Sequence, residues 1–590
     1  MEKNTDELLL PTHDTHKLLP PPHASKQLRT RPSTFSRLLA IGFIASLYFV
    51  PRLIRGRTVD TGPTAREDIC VQEDPLTPQS HSALAGSLGE RYDSPEFKQR
   101  AVEWLSGAVQ IPTESYDDMG AVGEDKRWEI FADFHKYLQD AFPKVHASLN
   151  LTKVNTYGLL YHWEGSDASL KPVLLAAHQD VVPVNPSTVS EWIHPPYSGH
   201  FDGEYIWGRG SGDDKSGLIG LLSTVESLLE EGFQPKRSVV LSFGFDEEIS
   251  GYHGAYKLSQ HLFEKYGKDS FAFLIDEGSG YSGEGGAVFA LPGIAEKGYL
   301  DARVTVATPG GHSSVPPAHT SIGILALIIA HIEEHPHTPQ LTRTSPIYSA
   351  LQCHAAHDPT LSKKLRTDIH KSLKSHKALK SVEKAIFSGS QAGSYKALLG
   401  TTQAVDLIEG GVKTNALPER ASAVINHRIA IESSGSELVA HLTKELKPLA
   451  EQFNLAFSVF GANITSPTNS AGTLVVSDAF DKTLEPAPVT PTDAAAYKLL
   501  SGTIRSAYAN GRGRSTGNKM IVAPGMMTGN TDTRHYWDLT PHIFRYGHAD
   551  SKDHFAGIHT INEAQKADGL VEVIRFYTTL ILNADESDKI

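Results

Sequence analysis

Four short apolar runs in this chain each end in a cluster of acidic or imidazole side chains, and that repetition restricts the fold more than any other feature. Val173-Leu-Leu-Ala-Ala177 runs into His178-Gln-Asp180, and Ile206-Trp207 into Gly208-Arg-Gly-Ser-Gly-Asp-Asp-Lys215. Val239-Val-Leu-Ser-Phe243 runs into Gly244-Phe-Asp-Glu-Glu248, and Phe271-Ala-Phe-Leu-Ile275 into Asp276-Glu-Gly278. Continuous apolar runs of this length suit strands buried on both faces, as in a parallel sheet covered by helices. Helical stretches such as 218–229 lie between them. Open sheets of this kind bind their ligands beyond the carboxyl ends of the strands. One such cluster would be an ordinary solvated turn, but four in succession predict a functional edge on an α/β sheet.

The side chains available narrow the chemistry. With only Cys70 and Cys353, a cysteine-type zinc site is excluded, and the expectation is that the two are not bridged. The chain has 28 histidines. One of them, far downstream in Gly557-Ile-His559-Thr-Ile-Asn-Glu563, offers a second imidazole to stand beside His178. Two histidines with several carboxylates describe a two-metal site suited to zinc, with cobalt or manganese as alternatives. A formal net charge of −13 argues against nucleic acid as a partner, which needs a basic face.

Texture along the chain suggests the organisation. Residues 1–33 read as a disordered tail on the cytosolic side, 34–54 as a transmembrane anchor and 55–90 as a stalk. A cleaved signal peptide is the rival for the apolar run at 38–50. The sequons at Asn150 and Asn463 fit a lumenal body, giving a single-pass type II membrane protein of a vacuole-like or lysosome-like compartment. A catalytic domain is expected over 91–297 and again over 464–585. Between them, 298–463 reads as an inserted α+β unit, with alternating strands at 299–306 and 421–429, a helix at 321–334 and a polar, histidine-rich stretch at 353–378.

Taken together, these motifs resemble the aminoacylase / carboxypeptidase G / succinyl-diaminopimelate desuccinylase metallopeptidases, most closely the carboxypeptidase S (Gly-Xaa carboxypeptidase) branch, over residues 85–585. The resemblance implies a zinc-peptidase catalytic domain with a mainly parallel sheet flanked by helices, plus an inserted lid. It implies two zinc ions bridged by Asp213, one completed by His178 and Asp276, the other by Glu248 and His559. Asp276 is chosen over Glu277 because it directly follows the apolar run. Asp180 would orient His178 and Glu247 would be the general base. His312 in Pro309-Gly-Gly-His-Ser-Ser314, Asn415, Arg428 and Arg534 resemble the substrate-gripping positions, the arginines suited to a free carboxylate. The implied reaction is hydrolysis of the amide bond next to a C-terminal carboxylate in short peptides, with N-acyl amino acids as the alternative substrates and a homodimer through the lid allowed.

Overall fold

The computed structural model describes residues 69–283 and 287–590. The expected tail (1–33), the expected anchor (34–54) and the start of the expected stalk lie outside them.

The strands that end in acidic clusters sit together in one eight-stranded sheet. Its order is Asn150–Val154, Gly158–Trp163, Val239–Gly244, Val173–His178, Leu274–Asp276, Ile543–Arg545, Gly293–Glu296 and Gly525–Met527. From Val239–Gly244 through Val173–His178 and Leu274–Asp276 to Ile543–Arg545 the pairing is parallel, and antiparallel strands flank this centre. Both faces are covered, which explains the continuous apolar runs. Val239, Leu241 and Phe243 enter the cluster formed with the helices Pro95–Val109, Lys215–Glu230, Ala495–Asn510 and Ala567–Glu586. Val240, from the other side of the same strand, packs with Leu258 and Leu262 of the helix Ala255–Tyr266. Each such fully buried aliphatic side chain contributes about 1.5–3 kcal/mol, so truncating Leu241 would cost about 2–5 kcal/mol.

The inserted unit is a six-stranded sheet backed by the helices Ser321–Glu334 and Gly435–Gln452. Its order is Thr402–Gly410, Arg420–Ile429, Gly298–Ala307, Gly472–Asp478, Leu455–Val459 and Ala462–Thr465. The Gly472–Asp478 strand pairs with Gly298–Ala307 and with Leu455–Val459, so the lid extends past the expected boundary at 463 to 478. Leu474 and Val476 face its core while Thr473 and Val475 face outward, the half-buried alternation of a lid strand. The histidine-rich stretch is largely helical. It belongs to a set of helices, Pro346–His357, Lys363–Ser372, His376–Ile386 and Ala392–Leu399, whose apolar sides pack on Ala295 and Met526 of the large sheet.

Three further expectations are corrected. Cys70 and Cys353 form a disulfide across 283 residues, with Cα atoms 4.9 Å apart. It lies in an apolar cluster with Phe289 and Ile521 that brings together segments remote in sequence. The described part of the stalk is folded onto the body. Glu586 accepts hydrogen bonds from the backbone of Gln79 and His81, and Leu88 and Tyr92 of the helix Ser82–Tyr92 are core residues. The expectation of a single-pass membrane protein with a lumenal, vacuolar body is likewise corrected. Among the described residues no helix is long and apolar enough to cross a membrane.

Candidate metal centre

At the carboxyl edge of the large sheet, the residues after the four apolar runs converge. His178 closes its strand with Nδ1 3.0 Å from the carbonyl oxygen of Asp180 and 3.3 Å from its Oδ1. A carbonyl oxygen can only accept, so Nδ1 carries the proton and Nε2 is left facing the cleft. Asp180 is itself held: Ser115 Oγ donates to its Oδ2 at 2.7 Å, and the backbone amides of Glu247 and Glu248 donate to its two oxygens at 3.1 Å. Asp180 therefore ties two strand ends together as well as orienting His178. The contribution of Ser115 carried no signal in the sequence.

Asp213 arrives on the glycine-rich turn before the helix Lys215–Glu230. Gly210 has φ +83°, and a Cβ there would meet Val181 Cγ1 at 2.5 Å, so this turn needs glycine. Glu563 fixes the turn from the far end of the chain, accepting from the amides of Gly212 (2.9 Å) and Asp213 (3.2 Å) and from Arg209 (2.5 Å). Lys215 anchors its other side, with Nζ donating to the carbonyls of Ala108 and Ile111. Burial pushes that ammonium down to about 7.

The Asp213 carboxylate then spans the cleft. Its Oδ1 lies 3.1 Å from His178 Nε2 and its Oδ2 3.1 Å from His559 Nε2. Glu248 Oε2 is 3.1 Å from the same His559 nitrogen. On the other side, Glu277 Oε1 is 3.7 Å from His178 Nε2, and donor atoms of His178, Glu247 and Glu277 lie within 4.8 Å of one another. Among the described residues, Glu277 and not Asp276 forms an ion pair with His178. Asp276 ends the Leu274–Asp276 strand in register with Arg545, and successive side chains at a strand end point to opposite sides.

The electrostatics are those of a cation site. Burial raises the carboxyls of Glu247 and Glu277 well above their usual range, reinforced by neighbouring Glu248 and Asp213 respectively, and lifts Glu248 to about 6. Hydrogen bonds to Asp213 and Glu248 raise His559 to about 10, and Asp180 and Asp213 raise His178 against the effect of its burial. Among the described residues, Asp213, Glu248 and Glu277 form ion pairs with these histidines and not with lysine or arginine. Crowded buried carboxylates of this kind fit divalent metal, which would neutralise all of them together.

A second group lies where the lid meets the large sheet. Arg428 of the Arg420–Ile429 strand and Arg534 of the turn Asp532–His535 both stand against the ring of Tyr299, at 5.6 and 5.9 Å from its centroid. Asn530 accepts from Arg428 at 3.0 Å, and Arg534 donates to the Tyr299 hydroxyl at 3.3 Å. Tyr299 and Asn530 were not legible as functional residues in the sequence. His312 and Asn415 are not brought to the metal centre. They stand exposed on a lid hairpin, where Ser313 donates to the Asn415 carbonyl at 3.3 Å.

The chain is similar to carboxypeptidase S of Saccharomyces cerevisiae, 40% identical over 522 residues covering 88% of this chain and 89% of the relative. It is also similar to an N-fatty-acyl-amino acid synthase/hydrolase of Bos taurus, 33% identical over 82% of this chain and 88% of the relative. Among solved structures the fold matches human carnosine dipeptidase 1, with a TM-score of 0.58 at 14% identity, covering 87% of this chain and 100% of that one. The pattern of peptidase family M20/M25/M40 matches residues 174–583. With that match spanning the convergent strand ends and His559 alike, the chain belongs to peptidase family M20/M25/M40.

Proposed function

We propose that this chain is a metallo-carboxypeptidase that hydrolyses the amide bond next to a free C-terminal carboxylate in short peptides, using two zinc ions. The observation that carries the reading is Asp213, whose two carboxylate oxygens each face a different histidine at 3.1 Å, as a bridge between two ions requires. His178 and Glu277 would complete one ion, Glu248 and His559 the other. Zinc in this setting supplies a water ready to lose its proton and polarises the scissile carbonyl.

The chain's own residues do the rest. Glu247, adjacent to a ligand but free of one, takes the proton from the attacking water and returns it to the leaving nitrogen. Arg428 and Arg534, steadied by Tyr299 and Asn530, grip the substrate carboxylate and so set the scissile bond at a fixed distance from Glu247. His312 and Asn415 would reach substrate from the lid hairpin. A pairing of two chains through the lid would suit its edge strand Thr402–Gly410, where Leu407 and Ile408 are exposed.

Similarity to carboxypeptidase S supports peptides as substrates. The more distant likeness to an N-fatty-acyl-amino acid synthase/hydrolase supports a second reading, in which the acyl side is a fatty chain. The two separate on a panel of Gly-Xaa dipeptides, their C-terminal amides and N-acyl amino acids. The expected order is dipeptide far above N-acyl amino acid, with the amides cleaved only at a small residual rate. Cleavage of the amides as fast as the dipeptides would remove the carboxylate grip, and a preference for N-acyl amino acids would establish the second reading.

A further inference from the structure

The lid carries a group of imidazoles that catalysis leaves unused. His331 lies in the last turn of the helix Ser321–Glu334 and His335 caps it, their rings stacked with centroids 4.0 Å apart. Facing them on the helix Gly435–Gln452, Glu445 places Oε2 3.3 Å from His331 Nε2. One donor atom from each of the three lies within 4.8 Å of the others. One turn before Glu445, the His441 ring lies tilted against His337 with centroids 4.0 Å apart, and His337 Nε2 is buried with no hydrogen-bond partner among the described residues.

The ordinary explanation, that a helix C-terminus favours histidine for its dipole, accounts for His331 and His335 alone. It leaves unexplained why Glu445 and two further imidazoles converge from the facing helix and the following loop. Stacked imidazole rings disfavour double protonation, so these histidines meet best as neutral nitrogen donors. His335 is already prepared as one. Its Nδ1 lies 2.7 Å from the His331 carbonyl oxygen, which can only accept, so the proton sits on Nδ1 and Nε2 presents its lone pair.

We propose that His331, His335 and Glu445 form a third metal site, on the lid and separate from the Asp213 centre, that takes a divalent transition cation such as Zn2+. Two imidazoles one helical turn apart present their nitrogens on one face. Two histidines with one glutamate are an established zinc donor set, and imidazole selects zinc, copper or nickel over calcium or magnesium. Lys444, 3.1 Å from Glu445 Oε1, engages the oxygen turned away from His331 and leaves Oε2 for the cation. The ion would join two helices that share the lid core through Ile328, Ile332, Leu442 and Leu446, bracing the sheet that carries Arg428.

The test is zinc content by elemental analysis of the full chain and of His331→Ala, His335→Ala and Glu445→Gln, each equilibrated with the same low-micromolar zinc. The wild type should hold one equivalent more than each variant. Added zinc should raise the melting temperature of the wild type more than theirs, and turnover on the best dipeptide should stay within about twofold, which also reports that the variants are folded. Equal zinc content in wild type and variants would overturn the proposal. So would loss of turnover together with zinc, because the ion lost would then belong to the catalytic centre. The readout is a difference between chains, so it stands apart from the identity of the substrate.

Discussion

Glu247 and Glu248 are neighbours in sequence, yet they leave the end of the Val239–Gly244 strand toward different partners. Glu248 meets His559 and Asp213, whereas Glu247 faces His178 and Glu277. Their amides are pinned to the two oxygens of Asp180, so neither backbone can rotate to exchange the roles. Glu247→Gln should therefore keep its metal and lose turnover by several orders of magnitude, while Glu248→Gln should lower metal occupancy, because an amide is a poorer zinc ligand. Elemental analysis beside kinetics separates them, and metal loss in the first with retention in the second would reverse the assignment. The same measurement tests Glu277 against Asp276. Glu277→Gln should lose zinc and Asp276→Asn should retain it. His178, Asp213 and the glutamate pair were singled out in the sequence because each lies within six residues of the end of a buried run. Glu277 was not, because adjacency to the apolar run cannot tell which of two consecutive carboxylates turns toward the cleft; that depends on the pleat of the last strand residue.

Between elements, the proposed grip on the substrate joins a lid strand to a turn of the catalytic body. Arg428 enters on the Arg420–Ile429 strand and Arg534 on the turn Asp532–His535, with Tyr299 between them. Removing either guanidinium should cost about 1.5–3 kcal/mol in transition-state binding, the usual worth of a hydrogen bond to a charged group. Arg428→Ala and Arg534→Ala should thus lower kcat/KM for a dipeptide roughly 10- to 150-fold, with the loss absent on the C-terminal amide. Equal losses on acid and amide would mean that the arginines only hold the lid in place. The arginines were singled out from their motifs. Tyr299 was not, since an aromatic in an alternating strand looks like any core residue until its two neighbours are placed. The lid strand Gly472–Asp478 escaped for a related reason: its pattern is ordinary, and only its pairing with Gly298–Ala307 shows which sheet it joins.

Across the whole molecule, distant segments depend on one another. The Cys70–Cys353 bridge closes a loop of 283 residues and joins the N-terminal segment to the helices packed on Ala295 and Met526. Two cysteines that far apart give no spacing to read, so their pairing could come only from the fold. Reducing it, or the change Cys353→Ser, should lower stability by about 5–6 kcal/mol, as the loop-entropy argument gives for a loop of this length, and a thermal melt with and without reductant reads this. Chelation should act elsewhere. Without cations the buried carboxylates around Asp213 repel one another, so metal-free protein should be inactive and less stable, with both properties restored by zinc; an active metal-free protein would end the two-zinc reading. The large sheet also has a bearing on how the chain is made. Its strand Ile543–Arg545 lies between Leu274–Asp276 and Gly293–Glu296, and His559 lies further on still. A polypeptide growing from its N-terminus has therefore emerged almost completely before the cleft receives its last imidazole, so a half-made copy has no means of cutting the peptides around it.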